Sequence, residues 1–172
     1  MKPKKKLLIS CFLLSFCLQL NAQDSAKVLR VKDGDTYVLG TGARIFTVRL
    51  KNVDAPESKQ NGGIEAKRFV DSLILNKTVK YFGTGIDRYG RVIVNININD
   101  KRLDSLIIGA GLGWQYITYN KELMLKNLMQ EDIARKAGLW ACGTKNVCPP
   151  WIWRQYNYTY KLRFCSGCNI AF

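Results

Sequence analysis

Four carboxylates occupy two short turns of the sequence, and they are well suited to binding a metal ion. Asp33 and Asp35 lie in the turn DGDT, and Asp54 and Glu57 lie in the turn VDAPE. A strand pair of suitable length joins the turns, so both can lie at one end of a barrel. Clustered carboxylates raise one another's pKa unless a cation intervenes. Hard oxygen donors of this kind favour Ca²⁺ or Mg²⁺, although Asp-Gly and Asp-Ala-Pro are also ordinary turn sequences.

Two arginines are candidates for binding a phosphate group. Arg91 ends the segment DRYGR at 87–91, and Arg49 lies in the segment 44–50. A guanidinium is a planar fork that matches the oxygens of a phosphate. Both arginines occupy the more polar face of a predicted strand. The alternative is that they are two solvated surface arginines.

The absence of histidine restricts the chemistry further. The 172 residues include no histidine. Mechanisms that need an imidazole base are therefore excluded, as are Ser-His-Asp triads and His-ligated zinc. Catalysis must use carboxylates, arginines, lysines, tyrosines or a metal held by oxygen.

Short strands are predicted to position these residues in the first part of the chain. Apolar residues alternate along 44–50, so Arg49 points away from Val48 and Leu50. Along 91–98, apolar residues again alternate with mostly polar ones. Five short strands in about 75 residues are typical of a small closed barrel.

Helical spacing of apolar residues predicts three helices, around 66–73, over 103–110 and over 121–137. Strands followed by helices indicate an α+β fold. After Trp140 the chain becomes aromatic, and its tryptophans beside prolines predict a strap packed on the domain.

The N-terminus predicts export. Lysines at 2–6 precede an apolar run, Leu7–Leu20, and a small residue, Ala22, which is the pattern of a secretory signal peptide over 1–22. An uncleaved anchor is the alternative. Removing the four leader lysines from 27 basic residues leaves 23 against 13 acidic ones, a net charge of +10. This charge favours a polyanion, either nucleic acid or a membrane surface, although solubility alone could also explain it.

Four cysteines follow the leader, at Cys142, Cys148, Cys165 and Cys168. An even number in an exported chain predicts two disulfides, of which local pairs are preferred here. A zinc ion held by four thiolates is the alternative. None of the four lies among the candidate phosphate-binding residues, so their predicted role is structural.

Taken in order, the motifs resemble those of the staphylococcal nuclease family over Val28–Trp140. The matching segments are DGDT, VRL through VDAPE, DRYGR, Gly111-Leu112 and Gly138-Leu139-Trp140. The segment PPWIWR at 149–154 is similar to a tail of bacterial relatives. The resemblance implies a five-stranded OB-type β-barrel with three helices. It places the domain at 23–140 and a packed C-terminal extension at 141–172.

The resemblance also implies a role for each motif residue. Ca²⁺ would be held by Asp35, Asp54 and the backbone carbonyl of Ala55. Glu57 would orient or deprotonate the attacking water, and Arg49 and Arg91 would bind the phosphate. Further substrate contacts are expected from a basic and two aromatic residues: Arg88, Tyr116 and Tyr119.

These inferences predict an exported, secreted or periplasmic, Ca²⁺-dependent nuclease that acts on DNA and RNA and leaves 3′-phosphate ends. We expect a monomer with no stable protein partner and no membrane attachment once the leader is removed. The main alternative is an OB-type module that binds nucleic acid without cutting it. A secreted protein that binds membrane surfaces through its charge is a further alternative.

Overall fold

Alternating apolar residues build a sheet that closes on itself. The computed structural model describes residues 24–118, 121–142, 147–155, 157 and 159, so the predicted leader lies outside the described residues. Eight strands are present in this part of the chain: β1 Asp24–Val31, β2 Thr36–Gly40, β3 Ile45–Leu50, β4 Val53–Asp54, β5 Thr78–Ile86, β6 Val92–Ile98, β7 Lys101–Arg102 and β8 Trp114–Gln115.

Five of these strands form the barrel. They pair in the order β3-β2-β1-β5-β6, and β3 also pairs with β6 to close the ring. The closing pair is parallel and joins Val48 to Val92, Arg49 to Ile93 and Leu50 to Val94. The predicted closed five-stranded barrel of an α+β fold is therefore confirmed.

The barrel interior holds the apolar positions that the alternation predicted. Val48 and Leu50 of β3 are buried, as are Val94 and Ile96 of β6. Burial of such side chains contributes about 1.5–3 kcal/mol each. The packing therefore fixes the strand register, and with it the end of the barrel at which Arg49 emerges.

The helices cover the barrel and carry the chain towards its tail. They are α1 Gly63–Ile74, α2 Leu103–Gly109, α3 Leu123–Arg135 and α4 Pro150–Gln155, with a 3₁₀ turn at Gly138–Cys142. The first three match the predicted helices, whereas α4 lies in the segment predicted only as a strap. Within the described residues, no helix is both long and apolar enough to cross a membrane.

A small aromatic cluster joins the tail to the domain. The ring of Trp114 in β8 meets Trp140 at a centroid distance of 5.2 Å and Trp151 in α4 at 6.2 Å, both edge to face. Such pairs contribute about 0.5–1.5 kcal/mol beyond the area that they bury. The limits of the domain at 23–140 stay a prediction, but Val147 and Trp151 of the segment that follows pack directly on it.

Candidate active site

The two acidic turns lie against each other because Gly34 has no side chain. A Cβ at Gly34 would stand 2.6 Å from the Cβ of Ala55 and 3.0 Å from that of Ala66. The hydroxyl of Tyr37 donates to the carbonyl of Gly34 at 2.8 Å and holds the first turn in place. Only glycine therefore lets the DGDT turn approach the VDAPE turn this closely.

Asp35 joins the turns directly. Its Oδ2 accepts the backbone N–H of Ala55 at 2.7 Å, and its Oδ1 accepts the hydroxyl of Thr36 at 2.9 Å. Asp54 is placed independently, because β4 pairs with β8 and sets Asp54 opposite Trp114. The strand pair β4–β8 was not predicted from the sequence, since each strand is only two residues long.

Arg49 bridges the two aspartates. Its Nη1 lies 3.1 Å from Oδ2 of Asp35, and its Nη2 donates to Oδ1 of Asp54 at 2.9 Å. Burial would lower the pKa of Arg49, but the charges of Asp35 and Asp54 raise it overall. The residue is only 8% exposed, which excludes the alternative of a solvated surface arginine.

The turn that precedes β6 directs the side chain of Arg91 towards the first acidic turn. Oδ1 of Asp87 accepts the backbone N–H groups of Tyr89 and Arg91, and its Oδ2 accepts Nε of Arg91 at 2.7 Å. Burial would raise the pKa of Asp87, but these hydrogen bonds from Arg91 lower it overall. Nη1 of Arg91 reaches Oγ1 of Thr36 at 3.4 Å, beside the first acidic turn.

One cleft of about 940 Å³ collects most of the predicted site. Its lining includes an aspartate, a glutamate and two arginines of the motifs, namely Asp35, Glu57, Arg49 and Arg91. Arg88 and Tyr116 also line it, and Cζ of Arg49 lies 5.7 Å from the centre of the Tyr116 ring. Tyr119 lies outside the described residues.

The cleft carries crowded negative charge. Burial, together with the charges of Asp35 and Glu57, raises the pKa of Asp33 to about 7. Burial also raises the pKa of Asp54, although hydrogen bonds from Arg154 oppose this. Burial is the main cause of both shifts, and a bound cation would favour the charged form of these carboxylates.

The donor set fits a hard divalent cation. Asp35 and Asp54 converge on one guanidinium, and the backbone of Ala55 adjoins both. In the part of the chain that the structure describes, no three acidic or cysteine side chains cluster closely enough to hold a metal alone. Two carboxylates completed by a backbone carbonyl and water are a ligand set that Ca²⁺ accepts.

Sequence reasoning missed Arg154. This residue of α4 reaches across the cleft and pairs with both Asp54 and Glu57. Its only sequence signal is its place at the end of PPWIWR, a segment whose tryptophans and prolines indicate packing.

The cysteines are placed only in part. Cys148 lies among the described residues, while the side chains of Cys142, Cys165 and Cys168 lie outside them. The pairing of the four cysteines, and with it the zinc alternative, stays a prediction.

Comparison with known proteins settles the family. Residues 47–142 match the family model described as "Staphylococcal nuclease homologue". The chain belongs to the staphylococcal nuclease family. It is 36% identical over 136 residues to an "Uncharacterized endonuclease" of Escherichia coli. The aligned region covers 78% of this chain and 88% of that protein.

Two further proteins are similar over much of the chain. "Staphylococcal-like nuclease CAN1" of Arabidopsis thaliana is 34% identical over 113 residues, covering 66% of this chain and 34% of the plant protein. An "Uncharacterized endonuclease" of Haemophilus influenzae is 29% identical over 156 residues, covering 88% of this chain and 86% of that protein. The predicted family and the predicted enzyme class, a nuclease, are confirmed.

Proposed function

We propose that this protein is a Ca²⁺-dependent phosphodiesterase that hydrolyses DNA and RNA and leaves 3′-phosphate ends. The observation that carries the proposal is that Asp35, Glu57, Arg49 and Arg91 line one cleft, with the buried Asp54 paired to Arg49. A phosphodiester needs its charge screened, a water molecule activated and a leaving oxygen released. The cleft supplies residues for the first two requirements without a histidine.

The cation is assigned to Asp35, Asp54 and the carbonyl of Ala55. When bound, Ca²⁺ would supply Lewis-acid screening of the phosphate charge. Arg91 donates from the cleft wall to a non-bridging phosphate oxygen, where negative charge grows in the transition state. Arg49, with its guanidinium fixed by two backbone carbonyls at 2.7–2.8 Å, holds the acidic turns and faces the same phosphate.

Glu57 is the proposed acceptor of a proton from the attacking water. Its side chain is 38% exposed, so water reaches it directly. It lies three residues after Asp54 in the same acidic turn, and Arg154 pairs with both side chains. Attack opposite the 5′ oxygen breaks the 5′ P–O bond and leaves the phosphate on the 3′ side.

The decisive experiment is cleavage of DNA and RNA by the purified mature protein with Ca²⁺ or with EDTA. We expect activity only with Ca²⁺, and products that prime a polymerase only after their 3′ phosphates are removed. E57Q should lower the rate by about 10²-fold or more, the range expected for a lost general base. E131Q, an exposed site on α3, is the matched control and should leave the rate unchanged.

Two results would overturn this proposal. Full activity in EDTA would remove the role of the cation. Binding of oligonucleotides without any cleavage would instead support the non-catalytic OB-type module.

We also propose that the protein is exported and acts as a monomer. The basic start and apolar run before Ala22 support cleavage of the leader after that residue. The four cysteines that follow the domain support disulfides formed outside the cytoplasm. The N-terminal sequence of the exported protein tests the cleavage, its unreduced mass tests the disulfides, and its molecular mass in solution tests the monomer. Four free thiols would contradict the disulfides.

A further inference from the structure

Arg154 enters the cleft from a segment far away in the chain. Its Nη2 donates to Oδ2 of Asp54 at 2.8 Å, and its Nη1 donates to Oδ1 of Asp54 at 3.2 Å and to Oε1 of Glu57 at 2.9 Å. One guanidinium therefore bridges a proposed cation ligand and the proposed base. Burial would lower the pKa of Arg154, but its hydrogen bonds to Asp54 raise it overall.

The tail is held where this contact can form. Trp151 packs on Trp114, and Trp114 is the residue that β8 sets opposite Asp54. The amide of Gln60, three residues after Glu57, donates to the carbonyl of Cys148 just before α4. The position of Arg154 is thus coupled to both acidic residues through packing and hydrogen bonding.

Both oxygens of Asp54 are already occupied. Oδ1 accepts from Arg49 and Arg154, and Oδ2 accepts from Arg154. The side chain of Asp54 is 0% exposed, whereas that of Arg154 is 44% exposed, so the guanidinium covers the carboxylate on its open side. A cation that approaches Asp54 from the cleft meets the guanidinium of Arg154 first.

We propose that Arg154 is an internal competitor of the divalent cation. It neutralises Asp54 and Glu57 in the cation-free protein, and it leaves Asp54 when the cation binds. Arg154 is a positioning residue in this scheme, because it acts through Asp54 and Glu57. The inference rests on the cation site of the proposed function. Since the two ligands exclude each other, cation binding and release of the Arg154 side chain from Asp54 are linked reciprocally.

The first test measures the Kd for Ca²⁺ by calorimetry on the full mature protein and on R154Q. We expect the Kd of R154Q to fall by about tenfold, the factor typical of losing a competing charge-assisted hydrogen bond. R44Q is the matched control, because it removes the same charge from an exposed turn and should leave the Kd unchanged. A purely structural role for Arg154 predicts the opposite sign, since a loosened site binds the cation more weakly.

The second test uses the unaltered chain. Released from Asp54, the Arg154 side chain becomes available to trypsin, so Ca²⁺ should accelerate cleavage after Arg154 relative to cleavage after Arg44. Mass spectrometry identifies both cuts. Slower cleavage after Arg154 in Ca²⁺, relative to Arg44, would overturn the inference.

The outcomes separate this inference from the proposed function. Equal Kd values for the unaltered protein and R154Q, with cleavage of DNA intact, would overturn only the competition. Failure of both proteins to bind Ca²⁺ would overturn the competition and the cation site together.

Discussion

Removal of the Arg49 charge tests whether one buried guanidinium holds the two acidic turns together. In R49M the side chain keeps much of its volume but loses every polar contact. Asp35 then retains Ala55 N–H and Thr36 as donors, and Asp54 retains Arg154. Removing one partner of a buried ion pair typically costs about 3–5 kcal/mol of unfolding free energy. Because these donors survive, we expect R49M to lose about 3 kcal/mol of unfolding free energy, the lower end of that range.

Urea denaturation at neutral pH in EDTA measures this loss. R91M is the matched control, because Arg91 pairs with Asp87 at a more exposed site, where such pairs contribute about 0–1 kcal/mol. A double-mutant cycle with D35N identifies the cause. If the unpaired charge of Asp35 is responsible, R49M/D35N is less destabilised than the two single variants together.

Two results would refute this reasoning. One is a loss in R49M no larger than that in R91M. The other is strict additivity of R49M and D35N, which would mean that Arg49 and Asp35 do not interact energetically.

Three further predictions concern packing, pH and salt. G34A should lower the free energy of unfolding by about 1–3 kcal/mol in denaturant melts, because its methyl group meets Ala55. In EDTA, folded Asp33 keeps a proton that the unfolded chain releases, so thermal stability should decrease as pH rises from about 4 to about 7. D33N should flatten this pH dependence of thermal stability. An unchanged slope in D33N would contradict the assignment of the effect to Asp33. DNA affinity should fall steeply between low and physiological salt through counterion release, whereas a flat response would indicate another partner.

The sequence predicted the barrel and the motif residues for a clear physical reason. Strand alternation with a period of two places Val48 and Leu50 inside and Arg49 on the other face. The polar turns at 33–36 and 53–57 follow from their local turn chemistry. These signals are short in range, and they all agree with one closed sheet.

What could not be predicted depends on contacts between distant segments. Arg49 is buried because Asp35 and Asp54, from two different turns, both pair with it. The two turns can approach each other because Gly34 has no side chain. Arg154 lies 100 residues from Asp54 in a helix too short for apolar periodicity to indicate. Its neighbours Trp151 and Trp153 indicated packing. The packing of Trp151 on Trp114 holds α4 where Arg154 can reach the cleft.

The parallel seam between β3 and β6 is one of two long-range strand pairs in the barrel. Val48 and Val92 meet across 44 residues, and Lys27 of β1 meets Thr78 of β5 across 51, whereas β1–β2, β2–β3 and β5–β6 join strands that are neighbours along the chain. Local hairpins form before pairs that must first close a long loop, since the loop's entropy is lost before the contacts are gained. Arg49 lies in one of these two long-range pairs, so the site needs the closed barrel. A chain whose barrel has not closed therefore has exposed strand edges and no assembled cleft. The cleft, and with it nuclease activity, forms in the same step that pairs those edges.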